Sequence, residues 1–207
     1  MASMQRKIEL NISMYNYSMF ITRKAKPAFR KLAKHVFERD HYTCQFCGFQ
    51  AREYQEIVNA DQNYNNNKLS NLLTACCFCT QCFFLESVGE AGYGGGTLIY
   101  LPEMLQNELN SMCHVLFCAM INETNYKDSA QSIYRTLRMR SQMIEKELGE
   151  GICNPGAFGQ LFLDYQSTNQ DKKTRVILKN MRLLPSRSRF TRQIQRWAQS
   201  ALEEMEK

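Results

Sequence analysis

Apolar and polar positions alternate from the start of the chain. Ile8, Leu10, Ile12 and Met14 fall at every second residue, the period of a strand with one buried face, so residues 1–26 read as a segment carrying an N-terminal strand. At Pro27 the period changes. Phe29, Leu32, Ala33, Val36 and Phe37 share one face of a helix through about Arg39, opened by a proline whose missing N–H is not needed in a first turn. Two short runs, YQEIV and LSNLLTAC, flank an Asn-rich loop and predict a strand on one side and the approach to a turn on the other. After the glycine tract GEAGYGGG, TLIYL predicts another strand and Pro102 the first residue of a helix. That helix extends to about Asn122, with Leu105, Leu109, Met112, Leu116 and Met120 at helical spacing and Cys113 and Phe117 beside them. A more solvated helix over about 128–148 ends at Gly149 and Gly151. Pro155 opens a short one bearing Phe158, Leu161, Phe162 and Tyr165, and Phe190, Ile194, Trp197 and Ala201 mark a final amphipathic helix.

Composition narrows the class. The chain has 207 residues, 44% of them hydrophobic and 22% charged, enough for a sizeable core. Its apolar runs fall short of the roughly 20 residues that span a bilayer, and its start lacks the apolar stretch of a secretory signal. A cytoplasmic protein is expected. The net charge of +6 is uneven, because nine Lys/Arg and no acidic residue lie between Lys172 and Arg196. Such a tail suits nucleic acid, an acidic protein surface or an anionic membrane face. No base-reading motif accompanies it, so a solvated or partner-facing basic surface is the preferred reading. Arg182, Arg187, Arg189 and Arg192 are the candidates for acidic partner contacts, since guanidinium groups pair with carboxylates bidentately.

Nine cysteines in a chain of this kind do not make a disulfide framework, because cytosolic thiols are kept reduced. CQFC at 44–47 and ACCFCTQC at 75–82 instead suggest a metal. Four thiolates close a tetrahedron suited to structural zinc, one ion per chain, whereas a catalytic zinc keeps a position open. Cys44 and Cys47 form the first pair; Cys76 with Cys79, or Cys79 with Cys82, forms the second. A thioredoxin-like role is disfavoured, as no βαβ pattern surrounds either pair. Cys113, Cys118 and Cys153 read as small apolar residues, and His35, His41 and His114 as surface or packing residues.

FERDHYTCQFCG, NADQNYNNNKLSNL and ACCFC, taken in order over about residues 36–84, resemble the ββα-metal core of HNH endonucleases. The resemblance implies an α+β fold, with a small HNH-like ββα zinc module over 27–86 and a helix-rich remainder over 87–207 packed on it. It favours Cys76 and Cys79 as the second ligand pair. It also puts Val58, Asn59 and Thr80 where such nucleases carry catalytic histidines. None of the three can hold the catalytic cation or act as base, so the mechanism is lost.

GGGTLIYLPEMLQNELNSMCHVLF and MRLLPSRSRFTRQIQRW, with that degenerate core, resemble the IcmJ family, also called DotN, over essentially the whole chain. The resemblance implies a non-enzymatic component of the Dot/Icm type IVB secretion apparatus. Its implied partners are the coupling ATPase DotL, through a C-terminal extension, with DotM and the adaptors IcmS and IcmW in the same complex. The competing expectations are a nucleic-acid-binding zinc protein and an active nuclease in which His35, His41 or His114 substitutes from outside the motif.

Overall fold

The alternation at the N-terminus marks a docked strap rather than a strand. In the computed structural model, which describes residues 6–122, 125–164 and 179–205, residues 6–13 have no regular secondary structure. Their backbone groups bond to loops instead of a ladder: Arg6 N–H donates to Gln45 O, Asn11 N–H to Cys82 O, and Leu85 N–H to Asn11 O. The alternating side chains still serve one face. Ile8 is buried, and Leu10 and Ile12 pack on the core. The predicted strand is thereby corrected, because irregular loops offer it scattered partners instead of an edge.

A helix that the sequence pattern did not predict follows, α1 (Asn16–Lys24), carrying Phe20 into a cluster of rings with Tyr17, Tyr64 and Phe84. Helix α2 (Pro27–Arg39) starts at its proline, as predicted, and its apolar face covers Ile57 and Leu72 in a small second core. Those two residues belong to an antiparallel hairpin, β1 (Gln55–Asn59) and β2 (Leu72–Cys76), whose register runs from Gln55↔Cys76 to Asn59↔Leu72. One helical turn, α3 (Cys77–Thr80), continues directly from β2.

Strand β3 (Gly96–Tyr100) lies where TLIYL predicted it, but its partner β4 (Met181–Pro185) comes from far along the chain and was not foreseen. Close approach fixes Gly96, where a Cβ would sit 2.6 Å from Leu184 O. The outer edge of β4 is sealed by a side chain: Gln106 accepts from Leu183 N–H at 2.8 Å and donates to Leu183 O at 2.9 Å. Further along, Pro185 lacks an N–H, and its carbonyl accepts from Tyr134 Oη at 2.9 Å.

Helix α4 (Gln106–Ile121) begins four residues later than Pro102 predicts. Pro102 lies in a turn, and the helix starts where Glu108 Oε2 reaches back to Leu105 N–H at 2.7 Å, satisfying an orphan donor. The expected helix over 128–148 is two, α5 (Lys127–Met139) and α6 (Ser141–Leu148), and α6 stops at Gly149 with φ +114°. Helix α7 (Pro155–Asp164) and helix α8 (Thr191–Met205) complete the chain. Tyr165 and the basic residues 172, 173 and 175 lie outside the described residues. One buried cluster runs from Ile8 through Phe78 and Leu98 to Ile194, so the strap, the hairpin and the later helices share a core in an α+β fold. No helix among the described residues is long and apolar enough to cross a membrane.

Candidate metal centre and its surroundings

The first cysteine pair sits on a tight loop. Thr43 and Gln50 form an isolated bridge, Cys44 N–H donates to Phe49 O at 2.8 Å and Gly48 N–H to Cys44 O at 3.0 Å. The turn requires Gly48, whose φ is +77°. Gln45 N–H donates to Thr74 O, which fastens this loop beside β2. The second pair follows from the strand-to-helix junction: Cys76 ends β2 and Cys79 lies within α3. The sulfurs of Cys44, Cys47, Cys76 and Cys79 consequently all lie within 4.8 Å of one another, and each residue is buried. Cys47 Sγ and Cys76 Sγ are 3.6 Å apart. A tetrahedral ion with bonds of about 2.3 Å to sulfur needs its ligands about 3.8 Å apart, so this donor set could hold a metal ion with little movement. The pair Cys79 and Cys82 is not the one gathered here, because Cys82 Sγ turns to donate to Phe78 O at 3.3 Å.

Four buried thiols in contact do not all ionise unaided. Burial, together with hydrogen bonds among the sulfurs, pushes the Cys76 and Cys79 thiols well above their ordinary value. At Cys44 burial also acts upward, but hydrogen bonds from Cys47, Cys76 and Cys79 outweigh it and lower the thiol. A divalent cation would supply the charge that lets all four deprotonate. The cluster is closed on its far side by α4. Asn110 Nδ2 points at Cys79 Sγ, 3.2 Å away, and Asn110 Oδ1 accepts from Gln106. His114 Nε2 lies 3.3 Å from Cys76 Sγ, its ring stacked between Phe49 at 3.6 Å and Phe78 at 4.3 Å. Burial lowers the His114 pKa to about 3, so the ring is neutral and can donate one N–H toward sulfur. Neither residue is among the site residues that the sequence suggests. The available signal was their i, i+4 spacing as polar residues on the face that carries Leu109, Cys113 and Phe117.

The positions that resemble nuclease histidines are built into the fold. Val58 is fully buried, and Thr80 Oγ1 donates to Cys76 O at 3.0 Å. Asn59, also buried, donates to Asn63 O and Asn66 O and accepts from Arg23. Arg23 reaches in from α1, is 5% exposed, and donates also to Ile57 O at 2.7 Å and Asn67 Oδ1 at 3.0 Å. Its guanidinium lies over Phe29 and Tyr64, 4.4 Å and 4.6 Å from the ring centres. Burial lowers its pKa to about 10, which leaves it charged at neutral pH. Asp61 is likewise engaged: hydrogen bonds from Asn66, from the Asn63 backbone and from Asn71 hold its carboxyl below the usual range. The Asn-rich stretch is therefore an ordered loop closed by side-chain caps. His35 and His41 are exposed, far in exposure from the buried His114.

The four arginines expected to face a partner divide. Arg187 and Arg189 are exposed on a short 3₁₀ turn ahead of α8, and Arg192 is exposed in the first turn of α8 itself. Arg182 is half-buried and donates to Met104 O, Lys179 O and Met181 O, so its guanidinium is already engaged within the fold.

Hairpin, knuckle loop and α4 thus define an α+β protein organised around a closed four-thiol centre that could hold a metal ion. No family model matches the sequence. The chain is 56% identical, over 99% of its own length and 96% of the relative's, to the type 4 apparatus protein DotN of Legionella pneumophila subsp. pneumophila strain Philadelphia 1. It belongs to the DotN family.

Proposed function

We propose that this chain is a non-enzymatic, zinc-stabilised subunit of the coupling-protein complex of a Dot/Icm type IVB secretion apparatus, binding the coupling ATPase DotL and supporting effector translocation. The observation that carries the reading is kinship along nearly the whole chain with a protein named as a type 4 apparatus component. DotM, IcmS and IcmW are its further partners in this reading, and the chain sits at the cytoplasmic face of the inner-membrane complex. The metal is structural. Four buried sulfurs leave no position for water or substrate, and an all-thiolate tetrahedron suits zinc. Cys44, Cys47, Cys76 and Cys79 would hold the ion, which supplies a fixed crosslink between the knuckle loop and the end of β2.

The surroundings of Asn59 support a non-enzymatic role. Phosphodiester hydrolysis by the resembled nucleases needs a divalent ion and a base, and here a charged guanidinium occupies the pocket beside Asn59. Co-purification of the tagged chain from its native cell, with elemental analysis, tests the proposal. One zinc per chain and recovery of the DotL extension are expected. Recovery of the chain free of secretion subunits, or Mg²⁺-dependent DNA cleavage by the purified protein, would overturn it.

A further inference from the structure

A groove of about 970 Å³, lined by none of the four clustered cysteines, lies between α5 and α6 on one wall and the Gly95–Gly96 end of β3 with the turn 186–189 on the other. The Tyr134 hydroxyl, bound to Pro185 O, holds the two walls in register. Arg135 and Arg138, one helical turn apart on α5, enter from the first wall; Arg187 and Arg189 enter from the second. All four are exposed, and none of their guanidinium groups donates to a described residue. The one acidic side chain in the lining among the described residues, Glu145, already accepts from Cys153 Sγ at 3.0 Å and from Gly151 N–H. Four like charges converge there with one carboxylate to offset them. That arrangement is self-repulsive unless an anion joins it.

We propose that this groove binds an extended acidic segment of a partner chain, its carboxylates paired with Arg135, Arg138, Arg187 and Arg189. The biological setting rests on the docking role proposed above, while the chemistry stands on the groove alone. Three features favour a peptide over a nucleic acid. Tyr134 is the one aromatic side chain in the lining among the described residues, and its ring packs edge-on against Phe117, so the described lining presents no stacking platform for bases. Met139, 58% exposed, sets an apolar side chain beside the charges, suiting a segment that carries both acidic and apolar side chains. The floor also offers backbone. Leu98 and Tyr100 turn their N–H groups away from β4, to Cys153 O and Arg140 O, and the two-residue period of a strand turns the Gly96 N–H the same way, into the groove.

The test measures fluorescence anisotropy of a short labelled peptide of alternating glutamate and leucine, at physiological ionic strength so that distant charges are screened. Arg135→Glu/Arg187→Glu is compared with Lys31→Glu/Lys34→Glu, the same charge change on the exposed face of α2. The groove variant is expected to bind at least about tenfold more weakly, and the α2 variant no more than about twofold. Equal losses in both, no binding by the unaltered protein at micromolar concentration, or displacement of the peptide by tighter-binding single-stranded DNA would each overturn the proposal. Should the double reversal fail to fold, Arg138→Gln replaces it, with an expected loss of about threefold. Peptide binding by a chain that recovers no secretion subunits would uphold the groove and sink the assembly reading; the reverse pattern would do the opposite.

Discussion

Replacing Arg23 by Met tests how the hairpin is held. The substitution keeps an unbranched apolar stem but removes every donor that enters the pocket beside Asn59. Ile57 O and Asn59 Oδ1 are then buried acceptors stripped of a charged donor, at about 1–3 kcal/mol each. Asn67 is exposed and re-solvates, adding little. Loss of the cation from the faces of Phe29 and Tyr64 adds about 1 kcal/mol. Against this, Met no longer carries a charge out of water, the cost visible in the lowered pKa of Arg23. The balance is a loss of about 3 kcal/mol, which for a chain of this size lowers Tm by roughly 6–12 °C. Arg23→Lys keeps the charge but cannot span both acceptors, so it should fall between the two. Trp197 is the only tryptophan and packs against Phe49 and His114, so its fluorescence reports global unfolding in urea. Metal content should not change. Arg23 grips the Asn59 end of the hairpin, while Cys76 lies at the other end, opposite Gln55. A loss below about 1 kcal/mol would refute the view that the guanidinium anchors the hairpin rather than merely filling space.

Cys44→Ser and Cys76→Ser should each abolish stoichiometric zinc and broaden or erase cooperative unfolding, because metal binding and folding are coupled, whereas Cys82→Ser should retain the metal on elemental analysis. Glu86 gives a pH dependence. Burial raises its pKa to about 7, and one carboxylate oxygen accepts from Ser13 N–H. The folded protein therefore holds this proton more tightly than the unfolded chain does, so the contribution of Glu86 to stability is fully present below the ordinary carboxyl value near 4.5 and is lost as pH rises to about 7. Urea titrations across that window should show the slope in the native protein and lose it in Glu86→Gln, with the variant more stable than the native protein at pH 8; an unchanged slope would count against burial as its origin.

Local chemistry made part of this structure readable in advance. The two CxxC pairs required one compact sulfur cluster, Pro27 and Pro155 opened helices where a proline is tolerated, and the Ile57–Val58 and Leu98–Ile99 runs became strands. Which of Cys76 and Cys82 joins the cluster needed the strand-to-helix junction, because both spacings satisfy the same reach. Misses arose where distant contacts decide. MRLLP reads as a strand only once β3 is beside it, since five residues carry too little pattern alone. The N-terminal alternation was real, but it found loops to bond to instead of an edge. Arg23 showed no sign of its role in the sequence, where a basic residue near a helix end ordinarily points to solvent.

The pairing of β3 with β4 also sets a timetable for the emerging chain. Tyr100 pairs with Met181 and Gly96 with Pro185, separations of 181 − 100 = 81 and 185 − 96 = 89 residues. The knuckle loop, the hairpin and all four clustered cysteines have been synthesised by residue 79, so the sulfur cluster can close while most of the helical part does not yet exist. Strand β3 must wait. At roughly 5–20 residues per second, the interval before β4 appears is about 4–18 s, during which Leu98 and Ile99, buried in the finished molecule, have no strand beside them. A ribosome that stalls within that interval holds a chain whose sulfur cluster can already close beside an open apolar edge, the kind of edge that invites pairing with another chain.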